Sequence, residues 1–188
     1  YGIVQDREYP QWDYGYHPEM IKAFKEKHGY DPREQEDPSK DEKWLKFRCD
    51  MVSEVANLVA EVVHKNGKVM SASPFPTPKM AARMVRQYWG DWNLDIVFPM
   101  VYHNFYTEDV SFVADCTIEN ARDKQDMTTL GAGVWAYNTP EMFATMDAAF
   151  NNGAQAISMF TAEEIKDPAI RKQFKEYADS ARAARKAN

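Results

Sequence analysis

The sequence predicts an α/β fold built on a parallel sheet, and three observations carry that expectation. Four short apolar runs, at residues 69–73, 94–102, 130–136 and 156–160, are the right length for strands and too short for helices. Between them lie segments whose apolar residues recur at three- and four-residue steps, the spacing of amphipathic helices. Runs that are apolar throughout, rather than alternating, belong to strands covered on both faces, as in βαβ units.

Each element has its own local signals. Pro18 suits a first helical position, Ile21 and Phe24 form an apolar edge, and Gly29 ends that short helix. The first forty residues otherwise read as a long loop rich in aromatics, proline and charge. Asp37-Pro38-Ser39 offers a stop and a cap before a long helix. In that helix Trp44, Phe47, Met51, Val55, Leu58 and Val62 make one apolar row, and Val52, Ala56, Val59 and Val63 make another beside it. Asn66-Gly67 closes the helix as a left-handed cap.

The first strand run is stopped by Pro74, Pro76 and Pro78, and a helical or irregular stretch around Met80 to Tyr88 leads to the second run. Thr107 can cap a helix over about residues 108–124, with Glu108 and Asp109 as its negative first turn. Thr139 and Pro140 open the next helix, which closes at Asn152-Gly153, and Asp167-Pro168 open the last one.

Composition narrows the class of function. The 188 residues are 44% hydrophobic and 13% aromatic, enough for one domain with a core. A net charge of -6 without Lys/Arg runs argues against a nucleic-acid partner and suits a neutral polar substrate. No apolar stretch reaches the roughly 20 residues of a bilayer span. The opening Tyr1-Gly2-Ile3-Val4-Gln5-Asp6 lacks the layout of a signal peptide, and Tyr1 suggests that something upstream has been cut or left out. Cys49 and Cys116 sit in separate helical segments and read as structural thiols, with a disulfide as the alternative.

A closed eight-stranded (β/α) barrel of the TIM type needs roughly 200 to 250 residues. Four strands after an irregular lead-in make half of one. The expected organisation is a loop with a short helix over 1–40 and the C-terminal half of a barrel over 41–188. A small open doubly wound sheet is the alternative, but no glycine-rich phosphate loop follows any strand run, and Gly131-Ala132-Gly133 falls inside one.

The lead-in YGIVQDREYPQWDYGYHPE, with Phe47-Arg48-Cys49-Asp50, the MVRQYWGDW stretch ending at Trp92, DIVFPMVY ending at Tyr102 and GAQAISMF ending at Phe160, resembles the family 10-like glycosyl-hydrolase-like proteins of bacteria. The likeness covers nearly the whole chain. It implies that the four strands correspond to barrel strands five to eight. It further implies hydrolysis of glycosidic bonds in a bacterial or dietary glycan, and a periplasmic or extracellular setting. In the family an Asp-containing motif ends the fourth strand and enters the active site; that motif is absent here.

Glycoside hydrolysis requires two carboxyl groups, one to donate a proton and one ionised, placed at or just beyond C-terminal strand ends. No pair stands out. Glu108, Asp109 and Glu141 read as helix first turns, and Glu163 and Glu164 follow the last strand. In the lead-in Asp6, Glu8 and Asp13 are interleaved with Tyr9, Trp12 and Tyr14, as in a sugar-facing loop. Asp13 and Glu163 are the weak catalytic candidates. The aromatics say more, because sugar rings stack their C–H faces on Trp and Tyr while neighbouring polar groups bond the hydroxyls. Trp12, Tyr102, His103, Asn104, Trp135 and Tyr137 are therefore the expected substrate contacts, with His103 as a hydrogen-bond donor. Trp135 fits a barrel-core aromatic equally well, whereas Trp89 and Trp92, on the way into a strand, read as core.

No metal or cofactor is expected, because His17, His28, His64 and His103 lack ligand spacing. Ser71, Ser73 and Ser158 lack a nucleophile elbow. The expected partner is an oligosaccharide or polysaccharide. The leading expectation is a glycoside-hydrolase-like half-barrel without its main catalytic acid. The rival readings are a non-catalytic carbohydrate-binding or degenerate barrel, and a structural half-barrel whose exposed edges drive homodimerisation to complete eight strands.

Overall fold

The computed structural model describes residues 14–136 and 139–186. Among them four strands form one parallel sheet: β1 (Ser71–Ala72), β2 (Ile96–Val97), β3 (Thr129–Trp135) and β4 (Ala156–Phe160), hydrogen-bonded in the order β1-β2-β3-β4. Spatial order follows chain order, with no reversal such as a doubly wound sheet has at its switch point. Six α-helices accompany the sheet: α1 (Pro18–His28), α2 (Glu42–Lys65), α3 (Pro78–Val85), α4 (Ser111–Asp123), α5 (Thr139–Asn151) and α6 (Pro168–Lys186). The α/β class and the parallel sheet are as the sequence predicts.

Local chemistry explains most boundaries. The helix α1 begins with Pro18 and ends at Gly29, whose φ of 83° is the left-handed conformation that a glycine adopts without a Cβ penalty. The long α2 ends at Asn66, followed by Gly67 at φ 64°. The Asp167 carboxylate accepts from the Ala169 amide at the start of α6. Two expected caps lie elsewhere. Asp37 caps a single 3-10 turn (Pro38–Lys40), and Asp41 is the residue whose carboxylate accepts from the Lys43 and Trp44 amides to start α2. Thr107 does not cap α4; it ends a 3-10 turn (His103–Tyr106) at φ 60°, and α4 starts later, where Asp109 accepts from the Ser111 amide. The intervening turn consumes the residues that the helix was expected to use.

The lead-in is more than a loop. Ile21 and Phe24 of α1 pack with Trp44 and Phe47 of α2 as a cluster of their own, with the Phe24 ring edge-on to Trp44 at 5.1 Å. The Arg48 guanidinium lies 4.8 Å over the Trp44 ring and Arg48 Nη1 donates to the Tyr14 carbonyl.

Among the described residues, helices pack on one face of the sheet. Leu130 joins Val97, Leu94, Trp89 and Trp92 in one cluster, while Ala132 and Val134 join Phe112, Val113, Met142 and Met146 in another. These are alternate residues of β3 and so share a face. Thr129, Gly131, Gly133 and Trp135 point the other way, where the Phe98 ring lies against Gly131. On that face Ser71 of β1 and Ser158 and Phe160 of β4 are exposed. Among the described residues the expected cover is found on one side only: right-handed crossovers between successive neighbouring strands put α3, α4 and α5 on the same face.

The first strand also differs, since β1 pairs through two residues only, with Val69 66% exposed. Beyond Trp44 and Phe47 the apolar row of α2 faces solvent, Val55, Leu58 and Val62 being 62%, 56% and 61% exposed. Cys49 and Cys116 are buried free thiols. Trp89 and Trp92 are core residues as expected, their indole N–H groups donating to the Phe75 carbonyl and to Ser53 Oγ. No described helix is long and apolar enough to cross a membrane.

Candidate functional site at the C-terminal ends of the strands

Beyond their C-terminal ends β2, β3 and β4 bring an aromatic group together. Past β2 the chain is held to β3 by a bridge between Met100 and Gly133, and Tyr102 follows. Trp135 ends β3 and Phe160 ends β4, directly paired in register. The Tyr102 ring meets Trp135 edge-on at 5.6 Å and stacks with Phe160 at 5.8 Å; Trp135 and Phe160 lie 6.0 Å apart, and Phe105 stacks with Trp135 at 6.3 Å. Phe160 is 52% and Phe105 36% exposed, while Tyr102 and Trp135 are half-buried. Burial raises the Tyr102 phenol above its ordinary pKa, so it remains a neutral donor and acceptor at physiological pH.

Beside this aromatic surface lies a polar group. Asn104 Nδ2 donates to Glu141 Oε2 at 3.1 Å, and His103 Nε2 faces the same oxygen at 3.4 Å. The His103 ring is nearly buried, at 3% side-chain exposure, and its Nδ1 has no hydrogen-bond partner. The Glu141 side chain is 42% exposed. It stands in the first turn of α5, with α4 and β3 lying between in sequence, and meets the turn after β2. Glu141 is the residue that sequence reasoning missed: a Glu just after a helix-opening Pro has a sufficient local explanation in the helix dipole, and only the crossing of α5 over the turn reveals its second role.

The remaining sequence-derived candidates separate. Trp12, Asp13 and Tyr137 lie outside the described residues. Glu163 is exposed in a 3-10 turn (Ala162–Ile165) after β4, its amide donating to Thr161 Oγ1. Asp109 is occupied with the Ser111 amide and hydroxyl, which hold its carboxyl below the ordinary value. No group of three or more His, Cys, Asp or Glu among the described residues could hold a metal ion.

Compared with known proteins, the chain matches no protein family, no curated protein and no solved structure.

Proposed function

We propose that the protein binds a glycan across the C-terminal ends of its strands and is a glycoside-hydrolase-like half-barrel of the (β/α)8 type. The observation that carries this reading is the aromatic surface of Tyr102, Trp135 and Phe160 lying beside Asn104 and Glu141. Rings of this kind accept the C–H face of a sugar, and the amide and carboxylate next to them accept and donate hydrogen bonds to its hydroxyls. The position supports the same reading, because parallel (β/α) units carry their sites at this end of the sheet. So does the chain-ordered sheet with a single covered face, which is what half of such a barrel has.

In this reading Trp135 and Tyr102 stack the sugar, Asn104 orients Glu141, and buried His103 supports Glu141 from behind as a positioning residue. Glu141, held by the Asn104 amide, supplies one of the two carboxyl groups that hydrolysis requires. One observation favours the rival reading of a non-catalytic carbohydrate-binding module. Among the described residues Glu141 is the one carboxylate hydrogen-bonded in the polar group.

Titration of the Trp135 environment by fluorescence with neutral oligosaccharides, run alongside a reducing-end assay, tests both. Saturable binding with release of reducing ends supports a hydrolase; binding without release supports the module. Absence of binding to every oligosaccharide overturns the proposal.

A further inference from the structure

The long helix α2 has two apolar sides. Cys49, Ser53 and Ala60 are buried on one of them, and Val52 and Ala56 there lie against the cluster around Leu94 and Val97. Met51, Val55, Leu58, Val59 and Val62 lie about half a helical turn away, and all five are exposed. A contiguous exposed apolar row on one helix marks an interaction surface.

The spacing of the row says what fits it. Met51, Val55, Leu58 and Val62 follow one another at steps of four, three and four residues. These are successive d, a, d and a positions of a heptad repeat, with Val at both a positions and Leu at the central d, the combination that favours two strands. Glu54 and Glu61, both exposed, take the flanking g positions, whereas Val59 and Asn66 take the e positions. A parallel pair of such helices sets each g position against an e position of its partner, so that Glu54 meets Val59 of the partner subunit and Glu61 meets Asn66 of the partner subunit. An antiparallel pair sets g against g and would bring Glu54 and Glu61 together twice across the two-fold, a like-charge arrangement that is costly.

We propose that α2 is a self-association surface, on which a second copy of this chain docks its own α2 in parallel, about a two-fold axis running along the helices. The proposal is independent of the glycan-binding reading. His64 in the last turn of α2 faces Asp95, just before β2, at 2.8 Å, so α2 ends at the opposite end of the sheet from the candidate site. Parallel pairing therefore leaves both candidate sites opening toward the same end of the dimer. Five apolar side chains per copy are fewer than the roughly 20–30 residues a side of a standard interface. The pair is accordingly weak, with a Kd on the order of 10–100 µM.

Sedimentation velocity of the chain, from low-micromolar to near-millimolar concentration, tests it and should show a reversible monomer–dimer equilibrium. Leu58→Glu places two like charges face to face in the seam and should weaken the dimer at least about tenfold. Circular dichroism and the urea midpoint should stay unchanged in that variant, because Leu58 is exposed within the single chain. Leu58→Cys should form an intermolecular disulfide under mild oxidation, since a parallel pair in register brings the two d positions within bonding reach; the native Cys49 and Cys116 are buried. Glu54→Lys should leave a parallel dimer nearly unchanged and would tighten an antiparallel one. A monomer at every concentration, or a dimer indifferent to Leu58→Glu, overturns the proposal, and tightening in Glu54→Lys overturns its parallel arrangement. A monomer whose urea midpoint falls in Leu58→Glu would mean that the chain's own residues cover the row, which overturns it equally.

Discussion

Asn104 and Glu141, 37 residues apart in sequence, meet at 3.1 Å through the Asn104 amide and one Glu141 carboxylate oxygen. The contact joins the turn after β2 to the first turn of α5, and it is exposed. Asn104→Ala should therefore leave the urea midpoint nearly unchanged, within about 0.5 kcal/mol for a surface substitution. Glycan affinity should fall about tenfold, equivalent to ~1.4 kcal/mol. A parallel loss of stability and affinity would mean that Asn104 holds the fold together instead of preparing the site.

Trp135→Ala and Tyr102→Ala should each cost at least about tenfold in oligosaccharide affinity, because a lost aromatic platform removes stacking worth ~0.5–1.5 kcal/mol beyond the area it buries. Titration calorimetry of both variants, with circular dichroism to confirm folding, decides the matter; unchanged affinity in both would remove the platform from the site.

Gly131 has no room for a side chain, since a Cβ there would collide with the Phe98 ring on the helix-free face of the sheet. Gly131→Ala should destabilise the protein by about 1–3 kcal/mol through overpacking. The penalty should shrink in a Phe98→Ala background, which gives the methyl group space. An equal penalty in both backgrounds, measured by urea unfolding, would place the cause in the backbone.

Arg33 donates to both carboxylate oxygens of Asp31 and holds its pKa at about 2. A carboxyl whose folded pKa is lowered contributes stability that is fully present above its unfolded value, ~3.9, and lost as pH falls toward the folded one. The urea midpoint should accordingly decline between pH 4 and about 2. Asp31→Asn should flatten part of that decline, the rest belonging to Asp37, Asp95, Asp109 and Asp179, which are lowered as well. An identical acid profile in the variant would show that the Asp31–Arg33 pair does not couple to folding.

Burial pushes the Cys49 thiol up to about 11 and the Cys116 thiol higher still. Thiolate, not thiol, is the nucleophile, so neither cysteine should react with an aromatic disulfide reagent at pH 8 in the folded protein, and both should react in urea. Rapid labelling of either without denaturant would contradict its burial.

Much of the fold is legible in the sequence because its signals are local. Pro18 and Gly29, Asn66-Gly67, Thr139-Pro140 and Asp167-Pro168 mark helix ends through caps and dihedral limits that need no distant partner. The four strand positions follow from apolar runs too short for helices, and Tyr102, His103, Asn104 and Trp135 stand out because each sits at a strand's C-terminal end. Where two local signals compete the reading slips, as at Asp37 against Asp41 and at Thr107, because each residue can cap a turn and the sequence does not rank the turns.

The chain by itself thus determined the order and type of its elements and the aromatic half of the candidate site. Only the tertiary structure decided what faces what. The apolar row of α2 has the same periodicity whether or not anything covers it, and Val55, Leu58 and Val62 are exposed because none of the described elements packs over that side of the helix. The strands read as two-sided, yet among the described residues helices cover one face only, because coverage depends on the path of the crossovers and not on strand composition. Glu141 reads as a helix-start residue, and it meets Asn104 and His103 because α5 begins beside the turn that follows β2. Helix and strand propensity act over a few residues, whereas a site is a meeting of residues that the chain brings together across tens of them.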